Sequence, residues 1–312
     1  MIVLAPSALG GGEPVDVLIR SVPLDPEDPD VTSLGPLRWC GSLELTFDNP
    51  EYGELSDIAL TAGGTRLYFV ADTGHWYTAR PTFTTQGRLV GLVDVEVGRL
   101  KGPDGRPLTA ELENDAEALT QLADGSMLVA FEGKHRILHY PPGERPLAGV
   151  PVVFARPPDL DKLPKNQGIE AMVGLADGRL LAFAESEERG ELQGFLWKQD
   201  HWSAIELRAS GAYRPTAVSV LPGGDLLITE RRYAPATGVS VRIRRVAHAD
   251  IKPGARLEGV EIATFLTPLL YDNIEGLAVQ ATAHGWVRLL LVSDDNRNPD
   301  QKTLLLCFLL QE

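Results

Sequence analysis

DAEALTQLADGSMLVAFE at residues 115–132 and GIEAMVGLADGRLLAFAE at residues 168–185 follow one plan. Each has an acidic residue, an apolar segment, an Asp-Gly turn, a second apolar segment and a final acidic residue. Short apolar runs on either side of an Asp-Gly pair are typical of a β-hairpin, because glycine reaches the positive φ that such a turn needs. The two stretches therefore predict two equivalent hairpins.

The plan recurs in three more stretches of the 312-residue chain: LSDIALTAGGTRLYFVAD at 55–72, PTAVSVLPGGDLLITE at 215–230 and NIEGLAVQATAHGWVRLLLVSD at 273–294. Aligned on Asp57, Glu117, Glu170, Ala217 and Glu275, successive copies lie 60, 53, 47 and 58 residues apart. That spacing leaves room for two more strands per repeat, and four strands are typical of a propeller blade. We predict an all-β fold, with residues 1–312 forming a single β-propeller of five or six four-stranded blades. A sixth blade would come from residues 1–50 or 78–114.

The ends of the chain predict how the ring closes. The last copy is followed by KTLLLCFLL at residues 302–310 and lacks an outer strand. We expect LRWCGSLELTF, residues 37–47, to supply that strand, with residues 1–36 as an N-terminal extension, because closure removes an exposed sheet edge. Cys40 and Cys307 would then lie on neighbouring strands, where a disulfide and two buried thiols are both open alternatives.

Composition narrows the classes of partner. The net charge of −14, from 43 acidic and 29 basic residues, argues against nucleic acid and favours cations. No apolar run approaches the roughly 20 residues that span a bilayer. The opening MIVLAPSAL is too short and lacks the basic flank of a complete signal peptide, which leaves exported and cytoplasmic origins open. We expect a monomer.

Acidic residues mark both ends of the predicted hairpins. The start of a blade's first strand and the end of its second emerge on the same face, so these carboxylates should surround one mouth of the central channel. The first strands begin at Asp57, Glu117, Glu170 and Glu275, and the second strands end at Asp72, Glu132, Glu185, Glu230 and Asp294. Such a ring repels itself unless cations share it, and Ca²⁺ accepts six to eight hard oxygen ligands. The alternative is a structural network of acids bonded to backbone N–H groups and to arginines or lysines of adjacent blades.

Basic and aromatic residues follow the second strands, among them His75, His135, Arg231 and Arg297. Either histidine could serve as a general acid or base, and the arginines suit an anionic group. Ordinary loop histidines are the alternative. The sequence has no GxSxG, GxxxxGK[ST] or HExxH motif, so hydrolysis here would use metal-activated water.

These pieces resemble one known family. LSDIAL with FVADTGHW, DAEAL, NQGIEAM, and DNIEGLAV with LLLVSDDNRNPDQKTLLLCFLL are similar to the "esterase-like activity of phytase" family over residues 37–310. The resemblance implies a propeller, a periplasmic or secreted location, and hydrolysis of a small-molecule ester or phosphoester. The leading hypothesis is a calcium-dependent hydrolase. The alternatives are a non-catalytic propeller that binds a ligand or protein, and a calcium-dependent lactonase.

Overall fold

The computed structural model describes residues 11–61, 63–236 and 238–312, so the first ten residues of the predicted extension lie outside the described part. Five antiparallel sheets are arranged around a central channel as a five-blade propeller. The innermost strands of successive blades contact one another, and the fifth contacts the first, which closes the ring. The all-β propeller prediction is confirmed with five blades.

Blade I follows four strands from residues 11–47, which are β1 (Glu13–Pro14), β2 (Val17–Val22), β3 (Ser33–Leu34) and β4 (Leu37–Phe47). The blade itself consists of β5 (Leu55–Leu60), β6 (Leu67–Ala71), β7 (His75–Phe83) and β8 (Leu89–Arg99). β1 adds to its outer edge by pairing with β8.

Blade II begins after a single helical turn, α1 (Glu111–Asn114), and contains β9 (Ala116–Gln121), β10 (Met127–Phe131), β11 (Arg136–Tyr140) and β12 (Val152–Val153). Blade III contains β13 (Ile169–Gly174), β14 (Leu180–Glu188), β15 (Glu191–Lys198) and β16 (His201–Arg208).

Blade IV contains β17 (Arg214–Val220), β18 (Leu226–Ala234) and β19 (Gly238–Val246). The next strand, β20 (Arg256–Leu257), crosses back to pair in parallel with β16, and β21 (Val260–Phe265) completes blade IV. Short 3₁₀ helices lie in the loops at Pro146–Ala148, Leu160–Lys162, His248–Asp250 and Ala283–Gly285.

Blade V joins the two ends of the chain. β22 (Asn273–Ala281), β23 (Trp286–Asp294) and β24 (Thr303–Gln311) are followed in the sheet by β4 and then β2. The prediction that residues 37–47 supply the missing strand is therefore confirmed. A disulfide joins Cys40 to Cys307 across this seam, with the Cα atoms 5.0 Å apart.

The stretches considered for a sixth blade have other positions. Residues 78–114 contribute to β7, β8 and α1, and residues 11–50 contribute edge strands to blades I and V.

The hydrophobic core lies between blades, where apolar side chains of neighbouring sheets interdigitate. At the IV–V boundary, for example, the rings of Phe265 and Phe308 are 5.6 Å apart and both residues are fully buried. Burial of this apolar surface is the main stabilising contribution to such a fold. Within the described ranges, no helix is long and apolar enough to cross a membrane.

Candidate functional site

A β-bulge near the start of the innermost strand recurs in all five blades. In blade II, Ala116 pairs with Phe131 and Ala118 with Ala130, so Glu117 is left without a partner in the ladder. A bulge re-aims the side chain of its extra residue. The residues at this position are Ser56, Glu117, Glu170, Thr216 and Glu275.

The bulges correct the sequence alignment by one residue in blade I. Ser56, and not Asp57, occupies the bulge. Asp57 lies one position further along, buried, where Oδ1 accepts a hydrogen bond from the Ile58 amide and Oδ2 from the Leu119 amide, both at 2.7 Å. Because the bond from Leu119 joins blades I and II, Asp57 has the structural role that the alternative hypothesis described.

A similar correction applies in blade IV. The ladder register aligns Glu230 with Phe131 of blade II and Ala184 of blade III. Arg231, and not Glu230, is therefore the equivalent of Glu132 and Glu185. Glu230 is fully buried between two guanidinium groups, with Oε2 2.6 Å from Arg242 Nε and Oε1 2.5 Å from Arg244 Nη2. Glu230 is therefore part of a buried ion-pair network inside its blade.

The remaining seven predicted carboxylates meet at one mouth of the channel, together with Asp115, which the sequence analysis did not select. Three carboxylate oxygens lie within 4.8 Å of one another, one each from Asp72, Asp115 and Glu117. Glu117 also interacts with Glu132 and Glu170. We call this set the carboxylate cluster: Asp72, Asp115, Glu117, Glu132, Glu170, Glu185, Glu275 and Asp294.

Carboxyl groups inside the cluster lie next to one another, Asp115 beside Glu117 and Glu132 beside Glu170. Two adjacent carboxyl groups can form a hydrogen bond only when one of them carries a proton. Glu132 is further held by the Gly168 amide, which donates to its Oε1, and Asp72 Oδ1 accepts from Ser56 Oγ at 2.5 Å.

Full ionisation of the cluster is electrostatically unfavourable. Burial, followed by the charges of neighbouring carboxylates, raises the pKa of Glu117 and Glu170 well above the ordinary value. Burial likewise raises the pKa of Glu275 to about 8 and that of Asp294 to about 7. Ionisation of these four carboxyl groups is disfavoured because it costs desolvation and adds repulsion.

One guanidinium reaches the cluster. Arg231 Nε lies 3.5 Å from Glu275 Oε1, the one ion pair with a cluster residue among the residues described. Arg231 Nε is buried without a hydrogen-bond acceptor, and the buried Asn273 Oδ1 lacks a donor. An unpaired donor and an unpaired acceptor therefore border the cluster at the boundary of blades IV and V.

The two predicted histidines lie in different surroundings. His75 is buried in blade I, where Nδ1 is 2.9 Å from Thr73 Oγ1 and the ring meets Tyr52 edge-on. Burial, then the charges of Arg99 and Arg297, lower its pKa to about 4. Its imidazole is therefore neutral at neutral pH.

His135 is closer to the cluster. Its Nε2 lies 3.0 Å from the Pro164 carbonyl oxygen and donates to it in the neutral ring, which leaves the buried Nδ1 as an acceptor without a partner. Burial raises the pKa of Asp115 and Glu132, and the nearby His135 has a smaller, opposite effect on both. Arg297, the last predicted residue, is half exposed on the loop after β23 and pairs with Glu54 at 2.8 Å.

The comparisons with known proteins agree with the repeat-based resemblance. A family model described as "Phytase-like: Esterase-like activity of phytase" matches residues 50–297. The chain belongs to this phytase-like family. The matched region contains every residue of the carboxylate cluster, so the cluster lies in the part of the chain that this phytase-like family shares. No curated protein matches the chain.

Solved structures resemble this phytase-like protein only distantly. A protein of unknown function from Dyadobacter fermentans DSM 18053 is 12% identical, with a TM-score of 0.47 over 95% of this chain and 91% of that one. A PQQ-bound aldose sugar dehydrogenase from Streptomyces coelicolor is 12% identical, with a TM-score of 0.45 over 95% and 99%. A streptogramin B lyase is 10% identical, with a TM-score of 0.41 over 94% and 98%. Similarity at this level does not bear on activity.

Proposed function

We propose that the protein is a divalent-cation-dependent hydrolase of small-molecule esters or phosphoesters, with Ca²⁺ as the preferred ion held by the carboxylate cluster. The observation that supports this most strongly is the concentration of eight carboxylates around one channel mouth, with Arg231 as their one ion-pair partner among the described residues. Membership of the phytase-like family supports ester chemistry.

The donor set fits a hard cation. The cluster presents carboxylate oxygens, which Ca²⁺ accepts in irregular arrangements. Glu117 and Glu170 sit at bulges next to the channel, and Asp72, Asp115 and Glu117 are already within 4.8 Å of one another. We assign these four residues, with Glu132, Glu185, Glu275 and Asp294 around them, to cation binding. Asp57 and Glu230 are left out because their oxygens have structural partners.

When bound, a divalent cation supplies Lewis-acid polarisation of the ester and offsets the negative charge of the site. The residues of this chain supply orientation and proton transfer. Arg231 is placed to donate to an anionic or carbonyl oxygen, because its partly exposed guanidinium borders the cluster. We assign proton transfer to His135, whose unpartnered Nδ1 can hold a proton beside Glu132. Arg297 is placed on the loop above His75 and steadies the rim through Glu54.

The Cys40–Cys307 disulfide supports a location outside the reducing cytoplasm, because such bonds persist in oxidising compartments. We therefore propose export to the periplasm or beyond, and we expect a monomer whose ring is closed within one chain.

A calcium-dependent turnover assay tests the proposal. Chelator-treated protein is given p-nitrophenyl acetate, p-nitrophenyl phosphate and a simple lactone, with and without calcium. Hydrolysis of either nitrophenyl ester should require calcium, should fall at least about tenfold in Glu117→Gln, and should persist in the exposed blade III variant Glu206→Gln. Turnover of the lactone alone would favour a lactonase. No calcium-dependent turnover in any assay would favour a non-catalytic binding propeller.

A further inference from the structure

A groove of about 620 Å³ opens beside the carboxylate cluster, between the loops of blades IV and V. Its lining includes Arg231 and Asn273, each of which has a buried polar atom without a hydrogen-bond partner. This volume is within the range of small-molecule binding sites. The groove therefore lies next to the cluster, because Arg231 lines it and is also ion-paired with Glu275.

The side chains that line the groove are mostly neutral and polar. Arg231 is its one basic residue among the lining residues described, and Asp272 and Asp300 are its acidic ones. Amide side chains provide both donors and acceptors, from Asn273, Asn296, Asn298 and Gln301. One guanidinium against two carboxylates disfavours a highly phosphorylated ligand and favours a neutral one.

The wall of the groove is held in place before any ligand binds. Asp272 accepts hydrogen bonds from the Asn273 amide at 2.9 Å, from Gln301 Nε2 at 2.9 Å and from the Lys302 amide at 2.8 Å. Asn298 Nδ2 in turn donates to Gln301 Oε1 at 3.2 Å. A fixed array of polar groups lowers the entropic cost of binding.

Aromatic rings complete the lining. Tyr271 is fixed by a 2.6 Å hydrogen bond from its hydroxyl to the Val239 carbonyl oxygen, whereas Tyr233 is 65% exposed at the rim. A large, exposed aromatic ring beside amide groups suits the C–H face of a sugar ring, while the amides suit its hydroxyls. A sugar hydroxyl is both acceptor and donor, so it can pair with either kind of group on the amide side chains of the lining.

From this lining we propose that the groove binds a neutral, hydroxyl-rich group, such as a sugar or polyol, as the part of the substrate next to the ester. The position of the ester over the cluster rests on the proposed function. Binding of the sugar itself does not rest on the proposed function, because it is argued only from the residues that line the groove. The proposed substrate class is therefore an ester of a sugar or polyol.

Saturation-transfer NMR with methyl glucoside, maltose and myo-inositol, on chelator-treated protein, tests the inference without hydrolysis. We expect at least one of these probes to bind, and Tyr233→Ala or Arg231→Gln to weaken it about fivefold. Val260→Ala, which truncates an exposed side chain on the outer strand of the same blade, is the matched control and should bind as the wild type does.

Two results would overturn the inference: binding of none of the three probes, or binding that neither groove variant weakens. Tighter binding of inositol hexakisphosphate than of the neutral probes would also overturn it, because the ligand would then be polyanionic. Sugar binding that follows these expectations, together with no calcium-dependent turnover, would contradict the proposed function and leave the groove assignment standing.

Discussion

The Nε atom of Arg231 in blade IV lies 3.5 Å from Oε1 of Glu275 in blade V. Arg231 occupies the position at which the other four blades carry a carboxylate, namely Asp72, Glu132, Glu185 and Asp294. The guanidinium lowers the pKa of Glu275, although burial has the larger, opposite effect and the pKa remains raised, at about 8. The channel mouth is therefore asymmetric. Blades I to III carry most of the carboxylates of the cluster, and the IV–V boundary carries the basic residue and the groove.

Removing charge from the cluster should stabilise the cation-free protein. Glu170→Gln eliminates an ionisable group whose pKa burial and neighbouring carboxylates raise well above the ordinary value. At pH 8 in chelator, we expect the variant to gain about 1–2 kcal/mol in the free energy of unfolding, measured with urea. A loss of stability in chelator would indicate that Glu170 belongs to a structural network.

Glu230 should behave in the opposite way. Glu230→Gln leaves Arg242 and Arg244 buried with a neutral partner, and breaking such a network costs about 3–5 kcal/mol. Urea denaturation should show that loss, and the calcium affinity of the folded variant should match the wild type. Weaker calcium binding in this variant would contradict that role and indicate that Glu230 is a metal ligand.

The disulfide at the seam should contribute strongly to stability. Cys40→Ser together with Cys307→Ser removes a cross-link between residues 267 positions apart, and such losses cost about 2–5 kcal/mol. Denaturation of the wild type in reducing agent should reproduce the effect of the double variant. Equal stability of oxidised and reduced protein would contradict a role for the bond in ring closure.

Stability without calcium should fall as the pH rises. In the folded state the pKa of Glu275 is about 8 and that of Asp294 about 7, above the ordinary values of 4.5 and 3.8. At a pH between the ordinary pKa and the folded-state pKa, the folded chain keeps protons that the unfolded chain has lost. The free energy of unfolding therefore decreases as the pH rises through this range. Melting temperatures in chelator should decrease from about pH 5 to pH 8, and saturating calcium should reduce that slope. A slope unchanged by calcium would contradict cation binding at these residues.

Much of the fold could be predicted from the sequence because hairpins repeat visibly. Asp124-Gly125 and Asp177-Gly178 mark equivalent turns, and the apolar residues 37–47 match the missing strand of blade V. The spacing of copies did not distinguish five blades from six, since outer strands such as β8 and β21 carry no repeated motif.

The candidate site was predicted less completely because bulges shift side chains by one residue. Asp57 and Glu230 sit beside the bulge-defined positions, and only the ladder register reveals that difference. Asp115 could have been selected from its place two residues before Glu117. The groove could not have been predicted from the sequence, because its walls come from loops near Tyr233, Tyr271 and Asn298, which are distant from one another along the chain.

Calorimetric titration of calcium into chelator-stripped protein at pH 7 tests whether the carboxylate cluster binds a cation, with magnesium as a second titrant and Glu170→Gln and Glu206→Gln as matched variants. We expect stoichiometric calcium binding that Glu170→Gln weakens at least about tenfold, with release of protons from the cluster and no change in Glu206→Gln. No heat and no rise in melting temperature at millimolar calcium would contradict it, and the carboxylate cluster would then be a structural network.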